Sequence, residues 1–292
     1  MSGYLYYPGC SLKGSGAPYE KSLLAVFGAL GQKLTEIPDW NCCGATAYLS
    51  VDADMAVTLA ARNLALAERV DGQDVVAPCS GCYLSLTKAQ AMLAEYPEVR
   101  KRVTEALAKG NLSYEGRIAV RHPLDVLLAD VGAEVLRKHV VRPLKNFRVA
   151  PYYGCAILRP YPGVPDAQTP HSLEDLCRIV GATPVDYPQK SRCCGGMLTS
   201  GVQSVGLRLV EILLSEAKDS DADAIVTTCP LCQYNLEVYQ DRLCKAKGND
   251  LRLPILYFTQ MLGMAFGMDD RALGMDQLLR VPLLAPCAGV KP

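Results

Sequence analysis

Val75–Leu86 reads VVAPCSGCYLSL, and Ile225–Leu236 reads IVTTCPLCQYNL. Each begins as a β-branched run, meets a CxxC where that run stops, and continues into a helical pattern. Strand, cysteine pair and helix in that order form a unit of an α/β protein. Its second appearance points to an internal duplication.

The other cysteines keep the same grammar. Cys10, the adjacent pair Cys42 and Cys43, and the CxxC of Cys79 and Cys82 make one series. Cys155, the pair Cys193 and Cys194, and the CxxC of Cys229 and Cys232 make another, displaced by 145 to 151 residues. The flanks agree too: YYPGC at 6–10 answers YYGC at 152–155, and NCCGA at 41–45 answers RCCGG at 192–196. The join falls in the basic stretch RKHVVRPLKNFR at 137–148, which divides the chain into halves of residues 1–144 and 145–292.

Short strands precede the cysteines. GYLYY stops at Pro8-Gly9, and DVVAP and AIVTT stop at Cys79 and Cys229. QKLTEIP and TPVDYP read as weaker strands, each ending shortly before a CC pair. Helical spacing recurs at Leu23, Val26, Phe27 and Leu30, less cleanly at Leu59, Leu64, Leu66 and Val70, and again in VGLRLVEILLSEAK. Alternating strands and helices imply, in each half, a mostly parallel sheet flanked by helices. Ligands of such sheets bind beyond the carboxyl ends of the strands. All ten repeated cysteines fall at or just after such ends, so each half gathers five thiols at one edge.

Composition narrows the function. Among 292 residues, 30 basic side chains balance 30 acidic ones, which gives no support to nucleic-acid binding. The N-terminus lacks the basic start and apolar run of a signal peptide, and no stretch nears the roughly 20 apolar residues of a transmembrane segment. The expectation is a soluble, cytoplasmic protein. Thirteen cysteines in a reducing compartment point to metal or redox chemistry rather than disulfides.

Five thiols per half discriminate among ligands. A disulfide network is disfavoured by the odd number and by the vicinal pairs. Structural zinc takes four ligands and leaves one thiol over. A thioredoxin-like dithiol leaves three unexplained. Iron–sulfur binding fits best, with the fifth thiolate serving an enlarged or open cluster. Gly44 and Gly195, right after the pairs, let the backbone approach a bulky inorganic core.

The doubled C…CC…CxxC arrangement, together with PDWNCCGATAY and LPILYFTQMLG, resembles the cysteine-rich CCG domain pair of the heterodisulfide reductase B subunit, from Cys10 to about Gly267. The resemblance implies two noncubane [4Fe-4S] clusters facing each other across a pseudo-twofold interface. On that analogy Cys10, Cys42, Cys43, Cys79 and Cys82 hold the first, and Cys155, Cys193, Cys194, Cys229 and Cys232 the second. A disulfide between them would be reduced to two thiols, or formed from them. No G-x-G-x-x-G or P-loop argues for a bound nucleotide. The family implies electrons from a protein like its C subunit, with conventional [4Fe-4S] clusters, and behind that a flavin-bearing protein like its A subunit. CCG domains also resemble parts of quinone-linked dehydrogenases, where electron transfer proceeds without disulfide chemistry.

The remaining residues have plainer readings. Cys177, Cys244 and Cys287 are expected to pack in the core. His122 is read as structural rather than as a proton donor. One tyrosine of each pair, Tyr6/Tyr7 and Tyr152/Tyr153, is expected in the core, and Trp40 is explained by packing. Arg137, Lys138, His139, Arg142, Lys145 and Arg148 read as a solvated linker face. RPYPGVPDAQTP at 159–170 reads as a loop.

Overall fold

Two four-stranded sheets, every neighbouring pair of strands parallel, carry the chain. This computed structural model describes residues 3–45, 48–70, 73–159 and 169–282. The first sheet holds β1 (Gly3–Tyr6), β2 (Lys33–Glu36), β3 (Val75–Val76) and β4 (Val120–Arg121), in the order β2-β1-β3-β4. The second holds β5 (Arg148–Tyr152), β6 (Thr183–Pro184), β7 (Ala224–Thr227) and β8 (Ile255–Tyr257), in the equivalent order β6-β5-β7-β8. Tyr6 lies opposite Glu36 and Val76; Tyr152 lies opposite Thr227.

The outer strands β4 and β8 are absent from the sequence reading. At two and three residues they are too short to show a period. Ala17–Ala29, Ala53–Val70, Ser80–Glu95 and Gln203–Asp219 are helical as the spacing predicts. In Ala53–Val70 Leu64 and Leu66 are buried as expected, but alanines fill out the buried stripe. It runs through Val57, Ala60, Ala61, Leu64 and Ala65, while Val70 is exposed. Alanines on the inner face let this helix lie close against Ser80–Glu95.

The core shows how the halves are joined. Along the second sheet alternate residues face opposite ways. Val149, Ala224, Val226 and Leu256 belong to a core continuous with that of the first half. Ala150, Tyr152, Ile225 and Ile255 belong to a separate core on the other face. Helix Ala17–Ala29 packs on helix Phe258–Ala265, and helix Ala133–His139 packs on helix Ser172–Ile179. The first contact carries a buried hydrogen bond between Ser22 and Thr259 at 2.7 Å and a stack of Tyr19 on Tyr257, centroids 4.4 Å apart. The basic stretch is therefore only partly a solvated linker. Arg137, Lys138 and His139 end a helix, Leu144 and Phe147 are buried, and the amides of Val141 and Arg142 donate to the carbonyl of Ala265. Most of the proline-rich loop, like Cys287, lies outside the described residues. Among the described residues no helix is long and apolar enough to cross a membrane.

Candidate functional site

Parallel strands end at the same edge, and here that edge is lined with sulfur. β1 and β5 lead to Cys10 and Cys155, β3 and β7 to Cys79 and Cys229, and the segments after β2 and β6 to the two CC pairs. All ten cysteines line one cavity of about 410 Å³, shared by the two halves. Cys10 and Cys42 are its more exposed members; Cys43, Cys79, Cys82, Cys194, Cys229 and Cys232 are buried.

The sulfurs lie within hydrogen-bonding reach of one another. Cys43 Sγ and Cys82 Sγ are 3.3 Å apart. Cys194 and Cys232 are neighbours in the second half. At the centre Cys79 meets Cys229, so the two groups of five touch through equivalent residues. Among the described residues twelve cysteines, including all ten of these, are free thiols. Among the described residues no three Cys, His, Asp or Glu side chains converge as a single metal ion requires, and the sulfurs surround a larger space instead.

Crowded thiols share their protons unequally. Hydrogen bonds from Cys42, then Cys82, hold Cys43 down at about 3. A hydrogen bond from Cys155 holds Cys193 at about 6. Cys229 is held well below the usual thiol range by Cys232 and then Cys79. A backbone amide helps at Cys193, where Gly195 N lies 3.3 Å from Sγ; Gly196 N lies 3.4 Å from Cys194 Sγ. Cys229 also occupies the N-cap position of helix Pro230–Val238, where the helix dipole favours thiolate, whereas Cys79, at the N-cap of Ser80–Glu95, is pushed up by its hydrogen bond with Cys229 and keeps its proton.

The walls fit a bulky, sulfur-ligated cationic core. The donor set is thiolate throughout, which suits iron–sulfur centres. The backbone is cut back where a side chain would intrude. A Cβ at Gly9 would lie 2.8 Å from Cys82 Sγ, and one at Gly154 would lie 3.1 Å from Cys232 Sγ. Gly44 and Gly195 both hold positive φ, +74° and +77°, as the turn after each CC pair demands.

A repeated tyrosine holds each CC loop. Tyr7 Oη donates to the Asn41 carbonyl at 2.7 Å, and Tyr152 Oη donates to the Arg192 carbonyl at 2.6 Å. Asn41 and Arg192 immediately precede the two pairs, and both tyrosines are buried. Burial, then the nearby sulfurs, pushes both phenols far above their ordinary range, so they remain donors. Trp40 packs edge-on to Tyr7, and Tyr187 does so to Tyr152. Of the tyrosine pairs only Tyr153 reaches the cavity. Its hydroxyl donates to Glu174 and accepts from the amide of Leu173.

His122 is structural, and it has the partners the sequence did not disclose. Its Nδ1 accepts from the amide of Leu124 at 3.2 Å, which leaves Nε2–H to donate to the carbonyl of Pro78 at 3.1 Å. Full burial lowers its pKa to about 4 and keeps it neutral. Cys177 lies in the core 3.8 Å from Met261 Sδ, and Cys244 accepts from the amide of Leu251. Sequence reasoning missed Ser11, Ser85 and Lys88 in the cavity wall. Ser85 and Lys88 follow Cys82 at intervals of three on one helix, and that spacing is the signal that places them.

A family description, the cysteine-rich CCG domain, matches residues 4–87 and 149–237. The chain is 36% identical to the 8-methylmenaquinol:fumarate reductase membrane anchor subunit of Wolinella succinogenes, over 94% of this chain and 95% of that one. It is 30% identical to the B subunit of the ferredoxin/F(420)H(2)-dependent CoB-CoM heterodisulfide reductase of Methanosarcina acetivorans, over 93% and 91%. A hypothetical protein from Helicobacter pylori has the same fold at a TM-score of 0.73 and 19% identity, covering 94% of this chain, which spans about half (51%) of that one. Two matched repeats, two matching sheets and full-length relatives agree: the chain belongs to the cysteine-rich CCG domain family, among relatives that include the B subunits of heterodisulfide reductases.

Proposed function

We propose that the chain is the catalytic iron–sulfur subunit of a heterodisulfide reductase-like complex. Cys10, Cys42, Cys43, Cys79 and Cys82 would hold one noncubane [4Fe-4S] cluster, and Cys155, Cys193, Cys194, Cys229 and Cys232 the other. The observation that carries this reading is the single cavity into which both groups of five sulfurs project. Bound there, the clusters would each supply one electron and a Lewis-acidic iron to a sulfur substrate.

The balance is simple: one disulfide, two electrons and two protons give two thiols. The chain's own residues set the conditions for that exchange. The contact of Cys79 with Cys229 keeps the two halves of the site adjacent. The buried tyrosines hold the CC loops, and Ala156, Met197 and Leu231 supply an apolar wall that excludes water. The electrons would come from a partner like the family's C subunit, with conventional [4Fe-4S] clusters, itself served by a flavin-bearing protein like the family's A subunit, in the cytoplasm.

Anaerobic purification with iron and sulfide should give about eight irons per chain. The holoprotein should then reduce a disulfide with a reduced viologen as donor. Zinc at about two per chain with no labile sulfide would overturn the proposal.

A second reading is favoured by the Wolinella succinogenes relative, whose name ties it to a quinol-dependent reductase. There the same clusters would pass electrons without touching a disulfide. Quinone or quinol turnover by the assembled complex, with every candidate disulfide inert, selects this reading.

A further inference from the structure

The two halves of the cavity wall are not chemically alike. Apolar residues line both sides, Val57, Leu84 and Ala89 from the first half and Ala156, Met197 and Leu231 from the second, but Ser11, Ser85 and Lys88 come from the first half alone. Counted from the repeated cysteines, Ser11 corresponds to Ala156, and Lys88, six residues beyond Cys82, corresponds to Val238, six beyond Cys232. The duplicated frame thus lines the cavity with a cation on the first-half side, while among the described residues Val238 lies outside the lining and no basic side chain of the second half enters it.

Lys88 is the charged residue of this lining. It stands on helix Ser80–Glu95 and is half-buried. Among the described residues it has no hydrogen bond or ion pair, whereas nearby polar side chains are engaged: Thr87 bonds to its own helix, and Gln90 bonds to Tyr114 and the carbonyl of Ile118. An ammonium held at the wall of a largely apolar cavity, without a carboxylate beside it, is matched by an anion from outside.

We infer that Lys88 is the specificity-determining residue of the cavity. It selects a ligand with a carboxylate, sulfonate or phosphate on its first-half side and an uncharged, apolar portion against Met197 and Leu231. This rests on the reading that the cavity receives a sulfur substrate, and it makes that substrate an unsymmetrical one with a single anionic end.

The test is calorimetric binding to the anaerobic holoprotein, compared for 3-mercaptopropionate, its neutral amide and 2-aminoethanethiol. Wild type should bind the carboxylate about tenfold more tightly than the amide, a margin that shrinks as salt is raised. Lys88→Arg should keep the preference and Lys88→Met should erase it. Lys88→Glu should transfer it to the amine. An equal preference in wild type and Lys88→Met, or none in wild type, overturns the inference. Disulfide turnover is scored separately. Turnover without charge preference leaves the proposed function standing and removes the role of Lys88; charge preference without turnover does the reverse.

Discussion

Tyr7 donates its buried hydroxyl to the carbonyl of Asn41 at 2.7 Å, and so fixes the residue from which the first CC pair hangs. Tyr152 does the same for Arg192 in the second half. Replacing either with Phe keeps the ring and removes one hydrogen bond. The expected cost is about 1–2 kcal/mol at Tyr152, where the Arg192 carbonyl loses its partner, and about 0.5–1 kcal/mol at Tyr7, where the Asn41 carbonyl still accepts from Asn63 Nδ2 at 3.0 Å. Tyr7→Phe should alter the spectrum of one iron centre and Tyr152→Phe that of the other. Low-temperature electron paramagnetic resonance of the two variants checks this. Identical changes in both would show that the tyrosines do not act on separate loops.

The two groups of five sulfurs should load independently. Cys193→Ser/Cys194→Ser removes two ligands from the second group and none from the first. Iron should fall to about half the wild-type value, with the corresponding drop from Cys42→Ser/Cys43→Ser. Near-complete loss of iron in both double variants would mean that neither group holds a core alone.

Gly195→Ala tests the turn behind the second pair. The residue sits at a φ of +77°, and a Cβ there would lie 3.0 Å from both the Cα and the carbonyl oxygen of Gly206. Neither neighbour is a flexible side-chain end. Strain and contact together should cost about 2 kcal/mol, read as a lower midpoint in anaerobic denaturant melts. A midpoint equal to wild type would place the glycine's importance elsewhere.

His122 gives a pH dependence whose sign follows from its burial. Its pKa falls to about 4 in the folded chain, from an ordinary value of 6.5. Between those values the unfolded chain takes up a proton that the folded chain refuses. The stabilisation is complete above pH 6.5 and is lost as pH falls toward 4. From about pH 7.5 to about pH 5 the loss due to this residue should be about 2 kcal/mol. His122→Gln keeps a donor near the Pro78 carbonyl but has no proton to gain. The acid slope of its stability should be shallower by that amount, measured by denaturant melts at both pH values.

Much of this arrangement is legible in the residues, and the gaps have physical causes. The cysteine grammar places the site because strands that run parallel deliver their ends to one edge, whatever the loops between them do. Val75–Val76 and Ala224–Thr227 are readable as strands from their β-branched runs and the CxxC that stops them. Val120–Arg121 is not, since two residues carry no pattern. Part of the buried stripe of Ala53–Val70 is hidden because alanine, not leucine, marks a close helix contact. The partners of His122 and the roles of Tyr7 and Tyr152 depend on carbonyls distant in sequence, which no local spacing records. Lys88 is visible as a residue on a cysteine-bearing helix, but its isolation is a property of the surroundings.

The reciprocal packing of Ala17–Ala29 on Phe258–Ala265 and of Ala133–His139 on Ser172–Ile179 has a consequence for assembly. In each contact a helix from early in one repeat packs on a helix from late in the other, much as two identical protomers pack about a dyad. A half-length chain carrying one such repeat should therefore close the same sulfur-lined mouth as a homodimer. Joining both copies in one chain lets equivalent positions differ, as Lys88 and Val238 do.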